Sequence, residues 1–190
     1  MSKEKSGSIG LIILLVLIVL AAFNGVSTYN GIVTKQERVQ STYATIDAQL
    51  QRRAELIPNL VNTVKGYMDH ETEVINAITE SREKLINADT VKEKADASDA
   101  LTEALGNFFV IVENYPDLKA NTNFIQLQDE LAGTENRIAT ARIDYNQAVE
   151  AYNSTIKRVP GRLIASWFGF EPAEYFEIKA GADAVPEVKF

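Results

Sequence analysis

The sequence predicts an all-α protein in which an N-terminal transmembrane helix is followed by an antiparallel up-and-down bundle of long helices. Two observations lead to this prediction. An apolar stretch lies at the start of the chain, and apolar residues then recur at alternating steps of three and four along four successive segments. Short breaks separate these segments, and helices joined by short connections pack as antiparallel neighbours.

The apolar stretch near the N-terminus is interpreted as a membrane anchor. From Ile9 to Phe23 no charged or strongly polar side chain occurs, and the apolar character continues past Asn24 to Val26. A helix of this length spans about 27 Å, close to the thickness of a hydrocarbon core. A cleaved signal peptide has a similar start, but no good A-x-A pattern follows and helical sequence continues directly. Residues 1–26 are therefore predicted to form a short N-terminus and an uncleaved transmembrane helix.

Residues 27–160 are predicted to form the bundle, beginning with a helix that leaves the membrane. Pro58 lacks a backbone N–H group and its ring clashes with the carbonyl of Ala54, so this helix is expected to end near Leu56. A second helix is expected to start at the proline, where Asn59 follows. The stripe of the first helix contains one arginine among mostly apolar residues: Ile32, Gln36, Val39, Tyr43, Ile46, Leu50, Arg53 and Ile57.

Two further helices complete the predicted bundle, at about Val91–Tyr115 and Thr122–Arg158. The stripe of the last one again includes charged residues: Phe124, Leu127, Leu131, Glu135, Ile138, Arg142, Tyr145, Val149, Tyr152, Ile156 and Val159. Charges on a buried stripe need partners, and we expect them to fix the register between helices. Arg52 is turned about 100° from Arg53. One of these arginines is expected to bind a carboxylate across the bundle, while the other faces solvent or a neighbouring molecule.

Residues 161–190 are predicted to form an aromatic C-terminal segment and a flexible tail. If every helix reverses direction, this segment begins near the bilayer, although a helix that ran through Pro58 would break that argument. Candidate membrane-interface residues combine basic and aromatic side chains: Arg158, Arg162, Trp167, Phe168 and Phe170. The alternative is that the aromatic residues cover the open end of the bundle.

No catalytic, metal-binding or cofactor-binding constellation is evident in the sequence. There is no cysteine, and a net charge of −7 argues against a nucleic-acid partner. His70-Glu71 begins like the H-E-x-x-H zinc motif, but Val74 stands where the second histidine is required. We therefore expect a non-enzymatic protein whose partners are the lipid bilayer, other copies of the chain and, as an alternative, another membrane protein.

Several motifs resemble the signature of the LemA family. They are Tyr29-Asn30, Leu50-Gln51-Arg52-Arg53, Leu56-Ile57-Pro58-Asn59-Leu60-Val61, Tyr145-Asn146, Tyr152-Asn153 and Phe168-Gly169-Phe170. The resemblance implies a bacterial protein with one membrane helix and a soluble helical bundle, at the cytoplasmic membrane, and it implies no activity. It also implies an outside N-terminus, whereas the charges nearest the anchor favour an inside one. The side of the soluble bundle stays open at this point.

Three functions of different kinds are compatible with this sequence. The favoured hypothesis is a membrane-anchored scaffold that self-assembles through its long helices. The second is an adaptor or regulator of a membrane protein such as a membrane metalloprotease, and the third is an unrecognised enzyme using Arg52, Arg53 and His70. The sustained helical stripes and the missing catalytic motifs favour the scaffold.

Overall fold

The computed structural model describes residues 2–68 and 70–177, and this part of the chain contains helices and no strand. The prediction of an all-α fold is therefore confirmed. The helices are α1 (Ser2–Val64), α2 (Thr72–Ile86), α3 (Val91–Val112), α4 (Pro116–Lys119), α5 (Thr122–Lys157) and α6 (Gly161–Phe168). The predicted flexible tail, residues 181–190, lies outside the described residues.

Two compact units make up the described chain. The first contains the chain up to Ser41 together with residues 147–173, and the second contains residues 42–146 with the described residues from Glu174 onwards. Each unit has its own buried side chains: Ile32, Tyr152 and Ile156 lie in the first, and Ile46, Leu101 and Ile138 in the second.

In the second unit, side-chain contacts fix the direction of the helices. Lys94 of α3 binds Asp47 of α1, and Arg53 of α1 donates to Thr102, farther along α3, so these two helices run parallel. Helix α5 runs antiparallel to α1. Asn121, directly before α5, donates to Tyr67, which follows the end of α1. Residues of the predicted stripes face this core, since Leu50, Ile57, Leu131 and Ile138 are buried. Leu105 and Phe108 of α3 are buried as well.

The predicted helix end at Pro58 is wrong, because Pro58 lies inside α1, which continues to Val64. A proline leaves the carbonyl four residues earlier without its helical donor. Here that carbonyl belongs to Ala54, and it accepts a hydrogen bond of 2.8 Å from Nε of Arg82 on α2. A side chain from the neighbouring helix thus replaces the missing backbone donor, and the chain reverses only between Val64 and Thr72.

In the first unit, α1 holds the only segment among the described residues that is long and apolar enough to cross a membrane. This segment is not buried against the rest of the chain. Farther along, Ile32 is fully buried, and Lys35 donates to Thr155 of α5. The predicted stripe residue Val159 is exposed, because α5 already ends at Lys157.

The connection from α5 to α6 brings Gly161 very close to the backbone of α5, and this closeness requires a glycine. A Cβ atom on Gly161 would lie only 2.2 Å from the carbonyl oxygen of Thr155, so no larger residue fits without movement. The other end of α6 is closed by Gly169 with φ of 74°, and the N–H of Phe170 donates to the carbonyl of Ala165. Left-handed glycines terminate helices in this way.

Candidate functional site

Arg53, one of the charged residues on the predicted stripes, lies buried in the second unit. Its Nη1 donates to Thr102 Oγ1 at 2.9 Å and lies 2.6 Å from Glu135 Oε2, while its Nε has no hydrogen-bond partner among the described residues. Burial lowers the pKa of Arg53, and the Glu135 carboxylate opposes that shift. Arg53 therefore links α1 to α3 and α5.

Arg142 forms a second buried charge contact, with a partner that the sequence did not suggest. Its Nη2 donates to Ser98 Oγ at 2.8 Å and lies 3.0 Å from Asp99 Oδ1. The guanidinium also lies over the ring of Phe176, 4.7 Å from the ring centroid. Such a stacked cation adds to the ion pair. Arg142 thereby connects α5 to α3 and to the residues that follow α6.

The remaining predicted residues of the Arg-Arg and proline motif face solvent. Arg52 binds Glu130 at 2.7 Å, and the two side chains are 53% and 48% exposed. Pro58 and Asn59 are exposed as well. An ion pair at this exposure contributes little to stability. Within this motif, Arg53 and the carbonyl of Ala54 form the polar contacts to other helices that are shielded from water.

Two tyrosine-asparagine pairs on α5 hold the non-helical chain that follows α6. In the second unit, Tyr145 donates to the carbonyl of Glu174, and the side-chain amide of Asn146 exchanges two hydrogen bonds with the backbone of Phe176. Burial raises the pKa of Tyr145 to about 12, and the hydrogen bond to Glu174 uses its protonated hydroxyl as the donor.

The same pattern occurs in the first unit. Tyr152 donates to the carbonyl of Glu171 at 2.9 Å. The amide of Asn153 donates to the carbonyl of Ala173 at 2.9 Å and accepts from its N–H at 2.9 Å. The side-chain amide of Asn153 thus pairs with both backbone groups of one residue, as a partner in a β-ladder does. Tyr152 and Asn153 are both buried, so this segment is part of the packed structure.

Replacing Asn153 with alanine should release the segment that it holds. Losing two hydrogen bonds and leaving the Ala173 backbone groups without partners is expected to lower stability by about 2 kcal/mol. Limited proteolysis of the full chain in mild detergent should then show faster cleavage near residues 169–177. Asn136→Ala, at an exposed asparagine of α5, is the matched control. Equal cleavage rates in both variants would contradict the assigned role of Asn153.

The candidate membrane-interface residues lie in or beside α6, and the structure separates them into two groups. Arg158, Arg162 and Trp167 point outward, whereas Phe170 packs against the ring of Tyr29 on α1 at 5.6 Å. Phe168 also contacts Tyr29, at 4.8 Å, yet it remains 61% exposed. Phe170 thus packs against α1 and Trp167 is exposed, while Phe168 contacts Tyr29 and is still largely exposed.

The motif that resembled a zinc site has a structural contact instead. Glu71 accepts a hydrogen bond of 2.9 Å from the hydroxyl of Tyr115, and His70 is exposed. Over residues 2–68 and 70–177 no group of three or more histidine, aspartate and glutamate side chains could hold a metal ion.

Several of these contacting residues are not predictable from local sequence. Ser98, Asp99 and Thr102 come from α3, and the local signal for them is that they lie close to the buried residue Leu101. Arg82 of α2 lies 28 residues after Ala54, and nothing near it in the sequence suggests a contact with that carbonyl.

The fold and these contacts define a class of protein, a membrane-associated helical bundle with buried arginine contacts and a candidate N-terminal membrane span. The family model described as LemA family matches residues 42–190. The chain belongs to the LemA family.

Three relatives illustrate the similarity. "Magnetosome protein MamQ 2" of Paramagnetospirillum magneticum is 29% identical over 90% of this chain and 74% of the relative. "Magnetosome protein MamQ" of Magnetospirillum gryphiswaldense is 25% identical over 82% of this chain and 66% of the relative. "Protein LemA" of Metamycoplasma hominis is 30% identical over 67% of this chain and 58% of the relative.

Proposed function

We propose that this protein is a non-enzymatic, single-pass scaffold of the bacterial cytoplasmic membrane that self-assembles laterally. The observation that carries the proposal is the unbroken course of α1 in the first unit. The helix passes from its exposed apolar segment to the buried residues Ile32 and Val39 without a loop or linker. The membrane span is thus a direct extension of a packed helix, which suits an uncleaved anchor.

Self-assembly would use surfaces other than the predicted stripes. The stripe residues Ile46, Leu50 and Ile57 are buried within a single chain, so they are not available to a second copy. The apolar segment of α1, by contrast, exposes more than half of every large side chain from Ile12 to Leu20. In a bilayer this surface is covered by lipid or by the same helix of another copy.

Cysteine crosslinking in membranes tests this proposal, because the chain has no cysteine of its own. Single cysteines placed one at a time from Ile12 to Phe23 should form intermolecular disulfides with a period of about 3.5 residues. Random collisions would give equal crosslinking at all positions. A cysteine at the exposed Glu55 is a control outside the span. Particle mass in mild detergent gives the size of the assembly, and a monomer at every concentration would contradict self-assembly.

A further inference from the structure

Helix α6 presents an apolar face that no described residue of its own unit covers. The large side chains on this face include Leu163 and Trp167, which are 54% and 78% exposed and one helical turn apart. Val159 lies just before the helix with 76% exposure. Exposed apolar surface of this kind marks an interaction site in a soluble environment or a surface that contacts lipid.

The opposite face of α6 fixes its position against α1. Ile164 and Ala165 are buried, and a Cβ atom on Gly25 would lie 4.0 Å from Ile164 Cδ1. The ring of Tyr29 contacts Phe168. Gly25 lies at the C-terminal end of the apolar segment predicted to cross the membrane, so α6 packs where that segment would leave the hydrocarbon core.

Exposed apolar side chains occur on α1 close to the place where α6 packs. Phe23 and Val26, which flank Gly25 along α1, are 73% and 62% exposed. This proximity favours lipid as the occupant, because the surface that must cover Phe23 and Val26 is already the bilayer of the proposed anchor. A tryptophan is well suited to that depth, since its ring is apolar and its N–H can reach water.

The charges around α6 indicate which lipids would bind. Residues 157–173 include three basic side chains, Lys157, Arg158 and Arg162, and a single carboxylate, that of Glu171. The three basic residues are exposed, in a chain whose net charge is −7. Basic side chains beside an apolar helical face favour membranes with anionic headgroups.

We propose that α6 lies in the interface of the same bilayer that α1 crosses, with Leu163 and Trp167 among the acyl chains and Arg158 and Arg162 bound to anionic lipid phosphates. This inference rests on the proposed membrane anchor and adds a second membrane contact, with a stated lipid preference. The anchor and this second contact would fix how deeply the first unit sits in the bilayer.

Fluorescence of Trp167 tests the inference directly, because it is the only tryptophan in the chain. The full chain is reconstituted into vesicles of phosphatidylcholine, alone or mixed with phosphatidylglycerol. In the mixed vesicles we expect a blue-shifted emission that is quenched by lipids brominated near the headgroup. In phosphatidylcholine alone, the shift and the quenching should be weaker.

Charge variants separate anionic lipid binding from simple apolar contact. In the variant combining Arg158→Gln and Arg162→Gln, the preference of the docked state for anionic over neutral vesicles should fall by about fivefold for each arginine removed. The control combines Lys65→Gln and Lys84→Gln, which change the net charge equally at exposed residues of the second unit. The control should keep the wild-type preference.

Three outcomes would overturn the inference. If the protein floats with vesicles but Trp167 is neither shifted nor quenched, α6 does not contact lipid. If the emission is shifted without lipid quenching and depends on the protein-to-lipid ratio, a second copy covers α6 instead. If the protein does not float with the vesicles at all, the membrane anchor itself fails, which distinguishes that failure from the first two.

Discussion

Replacing Asp99 with alanine is expected to lower the free energy of unfolding by about 3 kcal/mol, because Arg142 would remain buried without its carboxylate. The Asp99 and Arg142 side chains are 18% and 10% exposed, so water can replace little of the lost contact. The value lies at the lower end of the range for a broken buried pair because Asp99 keeps some exposure. Urea unfolding of the full chain in mild detergent, followed by helical circular dichroism, measures the change.

A matched pair of variants distinguishes this loss from the removal of any carboxylate. Glu130→Ala breaks the exposed contact with Arg52 and is expected to cost less than about 1 kcal/mol. Combining Asp99→Ala with Arg142→Met should recover most of the lost stability, since an apolar side chain can replace a buried ion pair. Equal losses for Asp99→Ala and Glu130→Ala would show that burial of the Arg142 contact is unimportant.

Replacing Arg82 with methionine is expected to cost about 1–3 kcal/mol, because the buried carbonyl of Ala54 would lose its donor. The cost depends on Pro58, whose lack of an N–H leaves that carbonyl open. In a Pro58→Ala background the new backbone N–H can donate to Ala54, so the same Arg82 replacement should be nearly neutral. Pro58→Ala alone should be at least as stable as the wild type.

The four chains of this double-mutant cycle are compared by the same urea unfolding measurement. Their coupling energy should exceed about 1 kcal/mol, well above that of independent sites. Lys84→Met is the control, because Lys84 is an exposed basic residue on the same helix as Arg82. An Arg82 replacement that is equally costly with and without Pro58 would refute the assigned hydrogen bond.

The residues of the site differ in how well they could be predicted from the sequence alone. Arg53 and Arg142 were found because each interrupts an apolar stripe, and both are buried in charge contacts. Their partners Thr102, Ser98 and Asp99 were not found, because a partner's identity depends on which helix faces the arginine. Likewise, the exposure of Leu163 was not predicted, because it follows from how α6 packs on Gly25.

The all-α class, the apolar segment of α1 and most stripe residues could be predicted from the sequence, because helical periodicity and side-chain polarity are local properties. The continuation of α1 through Pro58 depends instead on how the helices pack. Local chemistry predicts a helix end at a proline, since the carbonyl of Ala54 loses its donor. The fold brings Arg82 to within 2.8 Å of that oxygen, and a donor supplied from a different helix cannot be inferred from local sequence.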